Sequence, residues 1–361
     1  MGTPDPRPLA EAFKGLYAKP EHIDYAVIDA FSEGAYAGNP AAVVVLPAFK
    51  DVSWMQKVAA EFNLSETCYL VKRSTKLVEG DTVTPQNESS DDSGVSTTAA
   101  SSDDLQDGSQ EGTVSAPEAD AQAKHVIHEY DLRWFCPTYE VDLCGHATLA
   151  ASFVLFETGL VGKKETIFFH TRSGLLSVRT VGPEIGDAQS SSAEGRSTPA
   201  MEMIEMNLPW TTTTPSTLSS VETLTETLKN VEVIAVGKAA HRLIVELGSK
   251  EDVENFRPNM QELMQCDSEA LFVTASGGPV SGYDFVSRCF FPKWGVDEDP
   301  VCGSAHCALG PYWSTKLGKD NLLAYQASKR GGTLAIQVDK KIGRVYLRGQ
   351  AVMVMAGVLL K

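Results

Sequence analysis

The chain has 361 residues, with 43% hydrophobic and 22% charged, and 47 acids against 31 bases give a formal net charge of −16. This balance excludes a wholly disordered or fibrous chain, and so acidic a surface argues against a nucleic-acid binder, which needs clustered Lys and Arg against phosphate. No apolar run approaches the roughly 18 residues that cross a bilayer, and the length allows one very large domain or two ordinary ones.

Residues 1–21 have no apolar core of a signal peptide, and Pro6 breaks the myristoylation pattern, so they read as a flexible extension. From there on, short strands dominate. Asp24–Phe31 and Ala41–Leu46 are β-branched or aromatic runs split by the turn signal Gly38-Asn39-Pro40. Asp51 caps a predicted helix with Met55, Val58, Ala59 and Phe62 at helical spacing, and Thr67–Val71 reads as a strand. Residues 74–124 then carry a net charge of −9, nine Ser and no aromatic residue. Such a segment cannot bury enough apolar surface to offset its ordering entropy, and it is expected to be a disordered acidic insertion. A solvated loop is the simpler reading; a phosphorylated or partner-binding tail is the other. Residues 182–200 look similar.

Further strands are expected over Val126–Phe135, Ile167–His170, Leu175–Thr180, Glu202–Asn207, Val231–Val236, Arg242–Leu247, Leu271–Thr274, Tyr283–Phe291, Leu334–Val338 and Arg344–Leu347. Helices are expected over Val221–Leu228 and Asn259–Gln265. The alternation is too irregular for a doubly wound sheet, and no G-x-G-x-x-G or Walker A pattern occurs, so the fold class is α+β. The seven cysteines (68, 136, 144, 266, 289, 302 and 307) are odd in number and form no C-x-x-C pair. They read as free thiols of a reducing compartment, hence the cytoplasm.

One internal echo organises the chain. Residues 144–160 read CGHATLAASFVLFETGL and residues 302–318 read CGSAHCALGPYWSTKLG. Both start Cys-Gly, continue into an amphipathic helix and stop near a Gly, which suggests a duplicated fold with one central helix per half. The first-turn N–H groups of a helix have no intrahelical partner and carry partial positive charge. Two such starts facing each other, at Gly145 and Gly303, would grip a small anionic substrate. Cys144 and Cys302 would sit there with their thiolates favoured, or as small buried fillers. His146 opens the first helix. Asp299 precedes the second and could cap it or hold a substrate amine. Ser304, in its first turn, could cap or bind substrate. Glu66 lies at a helix-to-strand junction; it reads as a surface residue unless the fold closes over it, when a raised pKa would suit a general acid/base. No metal site is expected: His125-x-x-His128 lacks further ligands, and His306 and Cys307 are adjacent on a helix.

Several stretches together resemble the PhzF-like (phenazine biosynthesis-like) family of the diaminopimelate-epimerase-like fold. They are Ile28-Asp29-Ala30-Phe31, Gly38-Asn39-Pro40-Ala41, Asn63-Leu64-Ser65-Glu66-Thr67, Arg133-Trp134-Phe135, Cys144-Gly145-His146-Ala147 and Glu298-Asp299-Pro300-Val301-Cys302-Gly303-Ser304. Arg330-Gly331-Gly332 and Gly349-Gln350-Ala351 carry the match towards the C-terminus. The resemblance implies two pseudo-symmetric domains, each a β-roll around a central helix, over residues 22–173 and 174–350, with 351–361 returning to the first. It implies a cofactor-free isomerase, commonly a homodimer, acting on a small anionic metabolite. Glu66 would shuttle the proton, with His146 and Asp299 catalytic and Gly145, Gly303 and Ser304 binding substrate. Two departures stand out: the long insertion, and Cys302 where Thr is common. Cys144 and Cys302 fall where diaminopimelate epimerase carries its catalytic thiols, so a two-thiol amino-acid racemase or epimerase is the alternative. A catalytically silent homologue that binds a partner through the insertion is the third reading.

Overall fold

Strand pairing reveals the duplication directly. The structure, a computed structural model, describes residues 22–79, 124–182, 202–217 and 221–359. Its strands are β1 Ile23–Ala30, β2 Asn39–Leu46, β3 Glu66–Glu79, β4 Lys124–Phe135, β5 Glu140–Val141, β6 Thr166–Thr171, β7 Gly174–Val181, β8 Met203–Pro209 and β9 Thr213–Ser216. They continue with β10 Val233–Ala239, β11 Arg242–Leu247, β12 Ala270–Ser276, β13 Phe285–Phe291, β14 Val296–Asp299, β15 Asn321–Gln326, β16 Gly332–Asp339, β17 Arg344–Gly349 and β18 Ala351–Leu359. The first half runs β18-β1-β2-β3-β4-β6-β7-β8, and the second runs β9-β10-β11-β12-β13-β15-β16-β17. Both orders show the same succession: antiparallel, antiparallel, parallel, antiparallel, parallel, antiparallel, antiparallel. β5 and β14 flank β4 and β13 at matching places.

The first half takes its edge strand from beyond the second: β18 follows β17 yet pairs with β1, in the place that β9, next in sequence, fills beside β10. By pairing, the halves therefore meet between β8 and β9, whereas the sequence placed the division at 173/174. β7 and β8 remain hydrogen-bonded to the first half. The seam is the antiparallel β8–β17 pair, across which Arg348 Nη2 and Glu205 Oε2, both buried, lie 2.6 Å apart.

The helices are α1 Val52–Phe62, α2 Gly145–Glu157, α3 Lys250–Asn255, α4 Met260–Gln265 and α5 Gly303–Leu317. Cys144 and Cys302 are the N-caps of α2 and α5. Neither helix is amphipathic, contrary to the expectation. Most of α2 and ten residues of α5 are buried, because each is enclosed by the strands of its own half. Pro311 sits inside α5 and cannot donate to the Cys307 carbonyl. That carbonyl accepts instead from the Thr211 backbone N–H, at 3.0 Å. Residues 221–228 form turns rather than the expected helix, while α3 was not foreseen.

The acidic segment starts later than its composition indicates. β3 continues to Glu79, paired with Lys124, and Ser74 and Lys76 bind the Glu129 carboxylate at 2.9 and 2.7 Å. The partner strand that supports this ladder lies beyond the insertion, out of reach of a local reading. Residues 80–123 lie outside the described residues, as do 1–21 and 183–200.

Candidate active site

The two helix starts meet head to head. A Cβ built on Gly145 would stand 2.9 Å from the Gly303 Cα, and one on Gly303 equally close to the Gly145 Cα. Only glycine permits that approach. Two positive helix ends at such range repel each other, and an anion placed between them relieves the repulsion. A cleft of about 360 Å3 opens there. Glu66, Cys144, Gly145, His146, Asp299, Cys302, Gly303 and Ser304 all line it, so every residue singled out by sequence faces one space.

Local structure explains how Glu66 arrives. Asp51 caps α1, its carboxylate accepting from the Trp54 N–H at 2.9 Å. At the other end Asn63 takes a left-handed φ of 49° and donates its N–H to the Ala59 carbonyl. Asn tolerates this region better than most side chains. The chain thus turns into β3 within two residues, and Glu66 opens the strand at the cleft wall with 16% of its side chain exposed.

Asn39 ties the halves together. Its Oδ1 accepts from Ser65 Oγ at 3.0 Å, while Nδ2 lies 2.6 Å from Asp299 Oδ1, 2.9 Å from the Val301 carbonyl and 3.0 Å from His146 Nδ1. A carbonyl only accepts, so the amide is oriented with Nδ2 as donor. Where Nδ2 donates to His146 Nδ1, that nitrogen is an acceptor and the ring proton is assigned to Nε2. Nε2 stands 3.2 Å from Glu66 Oε2, yet neither atom has an aligned hydrogen bond within the protein. Arg330 fixes the approach to Asn39: it donates to the Gly38 and Ala37 carbonyls and to the buried Asp29 carboxylate.

Burial controls the charges. It raises Glu66 well above the ordinary carboxylate range, and the neighbouring Asp299 adds to the shift. Asp299 is likewise raised by burial, while hydrogen bonds from Cys302 and Asn39 draw it back. Burial lowers His146 to about 3, so the imidazole is neutral. Burial first, then the Glu66 charge, push the Cys144 thiol well above its usual value, which favours the buried filler over the thiolate among the two sequence readings.

Glu66, Cys144 and His146 bring ligand atoms within 4.8 Å of one another. Nδ1 of the ring faces Cys144 Sγ at 3.4 Å, whereas Nε2 faces Glu66. Opposite ring nitrogens thus serve the two neighbours, an arrangement that suits proton relay better than chelation.

A stability effect follows from Glu66. Its folded pKa lies above its ordinary 4.5, so between those values the folded chain binds more protons and stability falls as pH rises. Glu66→Gln should therefore melt higher than the native chain at neutral pH and lose that advantage in acid below 4.5. Melting curves at both pH values read this; an advantage confined to acid would contradict it.

Asn39, Ser65 and Gln326 were not assigned roles from sequence. Asn39 was seen only as part of a turn, although a polar residue opening an apolar strand was a usable signal. Gln326 ends a strand the sequence reading omitted. It accepts from the Cys302 N–H at 2.8 Å and donates to the Asp299 carbonyl at 2.6 Å. Glu298, from the same motif as Asp299, instead forms a two-pronged pair with Arg288 at 2.7 and 2.9 Å.

A family model described as "Phenazine biosynthesis-like protein" matches residues 28–88 and 121–357. The chain belongs to the phenazine biosynthesis-like family. A protein of Halalkalibacterium halodurans described as an uncharacterised isomerase is 37% identical, over 92% of this chain and 97% of its own. The human phenazine biosynthesis-like domain-containing protein is 33% identical over 92% of this chain and 97% of its own. A crystal structure of a family member from Enterococcus faecalis superposes with a TM-score of 0.65 at 31% identity, covering 94% of this chain and all of that one. The chain is an isomerase of this family with the α+β architecture expected from sequence. Among the described residues no helix is long and apolar enough to cross a membrane.

Proposed function

We propose that the protein moves a carbon-bound proton on a small carboxylate-bearing amino or cyclic acid, without a cofactor, and that Glu66 is the group that carries it. The observation supporting this most is the buried pair Glu66 Oε2 and His146 Nε2, 3.2 Å apart and lacking aligned partners at the cleft wall. Glu66 in its ionised form takes the proton from carbon and becomes a carboxylic acid. The charge left on the substrate spreads towards the first-turn N–H groups at Gly145, Gly303 and Ser304, which hold the substrate carboxylate. Glu66 then returns the proton to a different carbon on the same face. Asp299 holds a substrate amine or hydroxyl, and neutral His146 supports Glu66 through its Nε2 proton. Closure between two halves keeps the carbanion equivalent from bulk water.

The test is solvent exchange. The purified native chain in D2O, offered a broad panel of amino and cyclic acids, should place deuterium at carbon in at least one, read by mass spectrometry. Exchange in none of them would defeat the proposal and favour a silent, partner-binding homologue. A second reading, stereoinversion by two thiols, draws on Cys144 and Cys302 capping opposite helices in one cleft. The raised Cys144 thiol weighs against it. A cytoplasmic location, on the free thiols, and a homodimeric state, on the family likeness, are also proposed.

A further inference from the structure

The duplication places Arg242 where the first half has Asn39. The β1–β2 hairpin pairs Ala30 with Asn39, and the β10–β11 hairpin pairs Ala239 with Arg242. Each residue opens the strand that runs parallel to the next one. Asn39 is fully occupied by protein partners, but Arg242 is not. Among the described residues its guanidinium has no hydrogen bond and no ion pair, whereas every other arginine there has one. Arg242 lies over the Trp294 ring, 5.6 Å from its centroid, and is the one Lys or Arg lining the cleft. Trp294 in turn meets the Tyr139 ring edge-on at 6.0 Å, which makes an aromatic wall from both halves. Ala240, the first of the two residues that turn β10 into β11, holds φ of 52°, as so tight a hairpin requires. Of the acids nearby, Glu140 is already paired with Arg133 and Arg172, and Glu269 lines the rim without an ion pair to Arg242.

A half-buried planar cation with five unused donors matches a carboxylate. We propose that Arg242, stacked on Trp294, is a specificity-determining residue that takes a second carboxylate of the substrate, remote from the reacting carbon, on a planar molecule. This rests on reading the cleft as the substrate site, but not on the chemistry of Glu66.

Titration calorimetry of the full chain with benzoate and the three benzenedicarboxylates tests it. The native protein should bind at least one diacid about tenfold more tightly than benzoate, the size expected for a charge-assisted pair. Arg242→Gln should remove that preference by weakening the diacid far more than benzoate, with the fold retained by circular dichroism. Arg242→Lys, charged but without the planar fork, should fall between them. Glu66→Gln should keep the preference, which separates failure of the proton-transfer reading from failure of this one. In the native protein, added salt should weaken the diacid more than benzoate, a readout needing no variant. Diacids bound no better than benzoate, a preference surviving Arg242→Gln, or equal loss of both ligands would each overturn the assignment.

Discussion

Glu66→Gln should abolish substrate-dependent exchange of a carbon-bound proton, lowering its rate by about a hundredfold or more, the range of a positioned acid/base. Gln keeps the shape and can accept from His146 Nε2, but it cannot take a proton at accessible pH. Cys302→Ser should retain measurable exchange, since the Ser hydroxyl can still donate to Asp299 and the backbone N–H to Gln326 is unchanged. The two-thiol reading requires the reverse: loss on Cys144→Ala or Cys302→Ala, persistence in Glu66→Gln, and rapid alkylation of both thiols near neutral pH. One set of variants in D2O therefore separates the two chemistries. The pH profile adds a sign. The base must be ionised to start, so kcat/KM should fall as pH drops through the raised pKa of Glu66, well above the ordinary carboxylate value of 4.5.

The second large effect is expected at the meeting of the helices. Gly303→Ala puts a methyl group 2.9 Å from the Gly145 Cα, a backbone atom that cannot rotate away. Either the helix starts separate or strain is stored, at a cost of roughly 1–3 kcal/mol. Separation would misplace the N–H groups from the carboxylate proposed to bind them, and a displacement near 1 Å can cost about a hundredfold in rate. Gly303→Ala should therefore melt earlier and lose most of its exchange activity, as should Gly145→Ala. Gly159→Ala is a useful contrast. Its Cβ would meet nothing within 4 Å, but its φ of 69° imposes backbone strain, so it should lower stability with kcat nearly intact. Full activity in Gly303→Ala would show that the close approach is dispensable.

The site was legible where chemistry lies in consecutive residues. Cys144-Gly145-His146 and Asp299 to Ser304 each encode a helix start, and the spacing alone shows two of them. The place of Glu66 beside both starts came from the family resemblance, because its local sequence reads as a surface position. Asn39 and Arg242 escaped because their meaning depends on register between strands, a property of pairing rather than of any local window. The same holds for β7 and β8, whose composition does not say which half they join, and for Ser74–Glu79, a polar stretch made orderly by β4. The amphipathic helices were misjudged for a related reason. Ala147, Ala150, Ala151, Ala305 and Ala308 are small enough to lie inside a roll of strands, and a helix surrounded on all sides needs no polar face.

The return of β18 from beyond the second half to the first bears on how the molecule is made. During synthesis the first half emerges with β1 lacking a neighbour on one edge, and that neighbour, β18, is translated only after the whole second half. An uncovered strand edge is an invitation to wrong pairing, and contacts so distant in sequence fold slowly. Nascent chains should thus hold the Glu66 carboxylate in an unfinished wall until β18 docks, so that ribosome-bound intermediates are the most exposed to chaperones.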